Sequence, residues 1–230
     1  MVTENINKII EHKRKEVLLN KILKTEFKGK FISKVVYFNT PLVEKVIIYC
    51  AKPRLVLGKA NENLEKIIKI CKRLGFKNPQ IEAIPVENPL LDSEIVADLI
   101  ASRIEKFGTK AARKIAIKVA EDVINAGAIG VEIRLTGKII GERSSTVRIF
   151  KGNMKKSGEI NKIMGVSIAH AKLPQGVIGI KVRILHPKIR IPDNIKIKDY
   201  KEIDIDKLES IDPNLVNILN EKIKESTHQQ

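Results

Sequence analysis

Four short segments between residues 130 and 185 alternate apolar and polar side chains at a period of two, and they constrain the fold most. "GVEIRLTG" (130–137) sends Val131, Ile133 and Leu135 inward and Glu132, Arg134 and Thr136 outward. "STVRIF" (145–150), "GVSIAHAKL" (165–173) and "VIGIKVRIL" (177–185) follow the same rule. Successive Cβ atoms of a strand point to opposite faces, so each segment reads as a strand with one buried face. The layer that buries it lies just upstream. In "ENPLLDSEIVADLIASRIEKFG" (87–108), Asp92 is placed to cap a helix whose core stripe is Ile95, Val96, Leu99, Ile100, Ile104 and Phe107. Gly108 stops that helix and Thr109 caps the next, "KAARKIAIKVAEDVINA" (110–126). There Ile115, Val119 and Val123 are buried, while Arg113, Lys114 and Lys118 face outward. Two helices followed by four strands predict a two-layer α+β domain.

The first third of the chain has another order. Residues 13–25 read as a basic helix with Val17, Leu18, Ile22 and Leu23 at helical spacing. "FISKVVYFN" (31–39) and "VEKVIIYC" (43–50) read as strands joined around Thr40-Pro41. Pro53 opens a short helix ending at Gly58. The helix after it aligns Leu64, Ile67, Ile68, Cys71 and Leu74 and ends at Gly75. "PQIEAIPV" (79–86) supplies a third strand.

This helix–strand–strand–helix–loop–helix–strand order resembles a type II KH domain. In such domains a Gly-x-x-Gly loop holds the backbone of single-stranded nucleic acid. The resemblance makes Gly58, Lys59, Ala60 and Asn61 the loop, with Lys52 and Arg54 just upstream. A loop without bulky side chains lets phosphates reach backbone N–H groups at a helix start. Asn61 replaces the second glycine. Asparagine tolerates left-handed backbone and is a good helix N-cap, so it keeps the loop shape but weakens phosphate packing. An intact Gly-x-x-Gly, "GAIG" at 127–130, leaves a helix and enters a strand, and reads as structural.

Charge points to a polyanionic partner. The chain carries 43 basic and 27 acidic side chains, a net +16. Residues 191–230 hold 6 basic and 9 acidic groups, so residues 1–190 carry +19. Such an excess fits nucleic acid better than a solvated lysine-rich surface balanced by glutamate. Within residues 138–156, Lys138, Arg143, Arg148, Lys151, Lys155 and Lys156 stand against Glu142 alone, and these are expected RNA contacts.

Taken in order, "LVLGKAN", "DSEIVADLIASRIE", "AGAIGVEIRLTGKIIGERS" and "QGVIGIKVRI" resemble the KH-containing small-subunit ribosomal protein S three family. The likeness is to its archaeal and eukaryotic branch and covers about residues 5–188. It implies a KH RNA-binding domain with an N-terminal helix over 1–88, a C-terminal α+β domain over 89–188, and a charged extension over 189–230 that docks on a neighbouring protein. It also implies a structural constituent of the small ribosomal subunit in the cytoplasm, beside other head proteins. That constituent binds rRNA in the head and contacts mRNA at the channel through which it enters. In bacterial members, basic residues on the second helix of the C-terminal domain face the message and help unwind it. Arg113 and Lys114 match two such positions; a third falls on Ile117, with Lys118 adjacent.

Other classes find less support in the residues. No run of 18 apolar residues exists and tryptophan is absent, so neither a membrane span nor a membrane surface is expected. The N-terminus lacks a signal-peptide core, which places the protein in the cell interior. Cys50 and Cys71 read as buried free thiols. His12, His170, His186 and His228 are dispersed without metal-ligand spacing, and no phosphate-binding Gly-x-x-x-x-Gly-Lys loop occurs. No catalytic residue, metal, cofactor or small-molecule substrate is expected. Two alternatives are a free-standing KH RNA-binding factor, which leaves the second domain unexplained, and a lysine-dependent lyase that nicks damaged DNA, which would leave no signature among so many lysines.

Overall fold

A computed structural model describes residues 2–189 except 41–42, 59–60 and 77. Thus Lys59, Ala60 and the extension beyond Ile189 lie outside the described residues. The architecture is α+β, with two hydrophobic cores under two sheets.

In the first core, α1 (Val2–Glu26) is longer than the helix expected over 13–25. Among its described side chains Leu19 and Leu23 are buried, continued by Phe27, while Val17 is 65% exposed. The expected stripe therefore held at Leu23 and failed at Val17: the buried spacing runs from Leu19 through Leu23 to Phe27, and farther up the helix His12 stacks on Tyr37 with ring centroids 4.5 Å apart. β1 (Ile32–Asn39) runs antiparallel to β2 (Glu44–Cys50), and β2 runs parallel to β3 (Pro79–Pro85), with Cys50 opposite Pro85. A parallel pair needs a crossover. α2 (Pro53–Leu57) and α3 (Glu62–Arg73) supply it, burying Val56, Ile67 and Cys71; Leu64 and Ile68 are only half-buried. Cys50 and Cys71 are free buried thiols, and burial pushes Cys71 up to about 11.

The second core lies between two helices and four strands. α4 (Ser93–Phe107) starts as expected, the Asp92 side chain accepting the Glu94 N–H at 3.0 Å. It ends where the Gly108 N–H donates to the Ile104 carbonyl at 2.8 Å. Phe107, expected in the core, is 69% exposed, because this last helical residue lies past the part of α4 that the sheet covers. Thr109 does not cap the next helix: it begins a 3-10 turn (Thr109–Ala111), and α5 follows over Ala112–Asn125. α5 buries Ala112, Ala116, Val119, Ala120 and Val123, whereas Ile115 is only half-buried.

The strands are β4 (Gly130–Gly137), β5 (Ser145–Gly152), β6 (Gly165–Leu173) and β7 (Gly176–Leu185), with the one-turn helix α6 (Ile160–Ile163) before β6. They form an antiparallel sheet in the order β5-β4-β7-β6. α4 packs on β6 and β7, and α5 on β4 and β5. The GAIG segment is structural, as expected. Gly127 and Ala128 N–H groups donate to Ile124 and Val123 carbonyls at 2.9 and 3.3 Å, closing α5. Gly130 then passes so close to the Asn153 backbone that any Cβ would overlap its carbonyl.

Ion pairs join the two halves. Lys24 of α1 meets Glu94 at 2.5 Å, and Lys28 meets Glu105 at 2.7 Å, both on α4. Glu105 also accepts the Lys172 N–H at 2.9 Å. Between them, burial raises the Asp98 carboxyl to about 6; Lys24 opposes the rise and Glu94 adds to it.

Asp98 thus keeps its proton in the folded chain at pH values where the unfolded chain has released it. Stability should fall as pH rises from the ordinary carboxylate range through about 6, then level off. Asp98→Asn should melt above the parent at neutral pH and converge with it near about pH 4. Melting curves that keep one constant gap across that range would show that Asp98 ionises normally.

Candidate nucleic-acid interface

Two residues that flank the α2–α3 loop, Gly58 and Asn61, have positive φ. Gly58 has φ 82°, and a Cβ there would lie 2.5 Å from Asn63 Nδ2, so both conformation and space call for glycine. Asn61 has φ 63° and ψ 20° at the N-cap of α3. Its backbone does what was expected, but its side chain makes no capping hydrogen bond. A capping side chain requires an extended backbone at the N-cap, which the left-handed conformation denies. The first N–H groups of α3 therefore receive no side-chain cap. Lys52, Arg54 and Asn61 are exposed beside them. Glu62 and Glu65 occupy the same first turn, where they suit the helix dipole but repel a phosphate.

α5 presents the opposite arrangement. Its first turn has no acidic residue and no side-chain cap, yet it carries Arg113 and Lys114, with Lys110 just before it. Cations at a helix N-terminus oppose the dipole and cost roughly 0.3–1 kcal/mol each, so folding does not favour them there. Arg113, Lys114 and Lys118 are exposed and have no ion-pair partner among the described residues. Ile117, the apolar departure, is half-buried against the core, which explains why that position carries no cation.

The residues between 138 and 156 divide into two groups. Lys138 and Arg143 are exposed on the loop joining β4 to β5. Lys156 lies 5.4 Å from the centroid of the half-exposed Phe150 ring, and Lys155 is partly buried. Arg148 and Lys151, by contrast, have acidic partners that sequence distance hid. Lys151 pairs with Glu121 of α5 at 2.6 Å. Arg148 Nε donates to Glu132 Oε1 at 2.7 Å. Both are anchored by a carboxylate, although the Arg148 side chain stays half-exposed. The pair Lys151–Glu121 also ties β5 to α5, so the cations of α5 and of the β4–β5 hairpin belong to one body, whereas the α2–α3 loop is built on the other core.

Glu132 departs from the expected outward, solvated position. It is on the outer face but only 6% exposed. Besides Arg148, it accepts from Arg183 Nη1 at 3.2 Å, with Arg134 Nη2 at 3.5 Å. Burial pushes its carboxyl up, but Arg148 and Arg183 outweigh that and hold it below the ordinary range. Sequence reasoning placed Arg134 outward and overlooked Arg183 and Lys181. The missing signal is strand register, which alone shows that these residues converge. Among the described residues no cluster of three or more His, Cys, Asp or Glu side chains is placed to hold a metal ion, and no helix is long and apolar enough to cross a membrane.

Glu132→Gln would leave three guanidinium groups around a neutral amide. It should destabilise the fold by about 2 kcal/mol at neutral pH, below the usual range for a fully buried pair because Arg148 is half-exposed. A folded-state pKa held down gives stability present above the carboxylate range and lost as pH falls through it. The variant should therefore show a weaker acid dependence in thermal melts, and an unaltered melting profile would remove Glu132 from the account.

Comparison with known proteins agrees with this geometry. The family described as "Ribosomal protein S3, C-terminal domain" matches residues 100–184, from the middle of α4 through the four strands of the second core. The small ribosomal subunit protein uS3 of Nanoarchaeum equitans is 36% identical over 213 residues, covering 92% of this chain and 91% of the relative. That of Methanocaldococcus jannaschii is 35% identical over 191 residues, covering 82% and 91%. That of Methanosphaera stadtmanae is 34% identical over 169 residues, covering 73% and 66%. With identity at this level sustained across most of both chains, the chain belongs to the small ribosomal subunit protein uS3 family.

Proposed function

We propose that the protein is a structural constituent of the small ribosomal subunit that binds small-subunit rRNA in the head and contacts mRNA where it enters. It is not an enzyme; its relatives are ribosomal proteins. The single observation that carries the RNA reading is the N-terminal turn of α5. A first turn without side-chain cap or acid, the positive end of the helix dipole and the unpaired Arg113, Lys114 and Lys118 all favour an anion there. Contacts of this kind hold a phosphate backbone without reading sequence, as a protein that guides many different messages requires.

In this reading residues 1–88 form a KH unit, residues 89–188 the C-terminal unit, and residues 189–230 an extension that meets a neighbouring head protein. The α2–α3 loop is the weaker RNA contact. Asn61 and the first-turn Glu62 and Glu65 disfavour close phosphate packing, even though Lys52 and Arg54 stand nearby.

Sedimentation of a native lysate through sucrose gradients at low and moderate salt tests this function. The protein should travel with small subunits in stoichiometric amount at both. A protein left at the top of the gradient would favour a free-standing RNA-binding factor. The Arg113→Glu/Lys114→Glu variant should fold normally, because both side chains are exposed, yet lose about tenfold or more in affinity for deproteinised small-subunit rRNA. Unchanged affinity would remove α5 from the interface.

A further inference from the structure

The outer face of the four-stranded sheet sets Arg148, Arg134, Arg183 and Lys181 against the single carboxylate of Glu132, which leaves most of their charge uncompensated. Register places Arg148 of β5 opposite Arg134 of β4, and Arg134 opposite Lys181 of β7. Like charges directly opposite one another on neighbouring strands are destabilising, yet here three stand in one row. The adjacent row reads Phe150, Glu132, Arg183, so a fourth cation and an exposed aromatic ring flank the first row. Lys172 adds a further cation on β6, and Glu132 is the one acidic side chain on the outward positions of these strands. Its side chain is only 8% exposed and already engaged by three guanidinium groups. It therefore holds the arginines in place and presents little charge to a ligand.

We propose that this sheet face is a second RNA-binding surface, in which a phosphodiester backbone crosses the strands along the Arg148–Arg134–Lys181 row and a base stacks on Phe150. The inference rests on the RNA-binding reading above and adds a site remote in kind from the helix N-terminus of α5. Strands lie about 4.8 Å apart, so the row spans about 10 Å, a length that closely spaced phosphates match. Guanidinium groups present planar donor forks that suit phosphate oxygens. RNA is favoured over an acidic protein segment because Phe150, half-exposed next to the row, offers a base a flat π surface to stack on, with the long Lys156 side chain over the ring placed to move aside to a phosphate.

The test uses the full-length protein and a fluorescent single-stranded RNA of about 30 nucleotides and mixed sequence, with affinity followed against salt. Each phosphate contact to a single strand contributes about 0.7 to the slope of log affinity against log salt. Arg134→Gln/Lys181→Gln should therefore lower the slope by about 1.4 and the affinity by about 25-fold at 0.1 M salt. Phe150→Ala should weaken binding about tenfold without changing the slope. Lys181→Gln alone makes no change to the Glu132 cluster and should give half the slope change, so a folding defect in the double variant does not obscure the result. If these variants bind like the parent while Arg113→Glu/Lys114→Glu is weakened, the sheet-face site is wrong and the α5 reading stands. A parent that binds no RNA would overturn both. Loss of binding to a polyglutamate peptide with RNA binding retained would make the face a protein-docking surface and overturn the proposal.

Discussion

The contact between α5 and the inner face of β4 and β5 decides where the cations of those three elements can go. α5 meets the sheet through Ala112, Ala116, Val119, Ala120 and Val123. Small alanine side chains let helix and sheet approach closely, and apolar burial of roughly 25 cal/mol per Å² holds them together. Once that face is committed, Arg113, Lys114 and Lys118 have nowhere to point but solvent. On the sheet, the same packing takes Val131, Ile133 and Leu135 inward and leaves Glu132, Arg134 and their neighbours on the opposite surface. One apolar contact thus yields two basic surfaces, one on the helix and one on the far side of the sheet.

A body this basic must also limit its own repulsion. It does so by placing acids where they join elements. Glu94 and Glu105 hold α1 and the turn after it to α4 through Lys24 and Lys28, Glu121 ties β5 to α5 through Lys151, and Glu132 gathers three arginines of the sheet. No acid is placed in the first turn of α5. Compensation is concentrated at seams between elements and is absent from the first turn of α5. That division accounts for a large net charge within a stable fold, and it separates cations with structural work from cations left for a ligand.

Much of this was legible in the sequence because it is local. Asp92 as a cap, Gly108 as a stop, the four alternating strands and the GAIG turn each follow from chemistry within a few residues. The cations of α5 were legible for the same reason, since helical period alone sets Arg113, Lys114 and Lys118 opposite the core. What was not legible depends on pairing over distance. Arg148 and Glu132 are on different strands, and only register brings them together with Arg183. Glu132 therefore looked solvated and Arg148 looked free. The buried stripe of α1 failed similarly, because Val17 and Leu19 both fit a helical pattern and only the position of the sheet distinguishes them. Asn61 shows a third limit: its left-handed backbone was foreseeable, but that conformation excludes the side-chain cap expected alongside it.

The central claim is that uncompensated cations on the second core touch RNA inside the small subunit. Ultraviolet crosslinking of purified native small subunits, with mass spectrometry of the RNA-bound peptides, tests it most directly. The account predicts crosslinked peptides that contain residues 110–118 of α5. Crosslinks confined to peptides of the first core, with none from that helix, would contradict it.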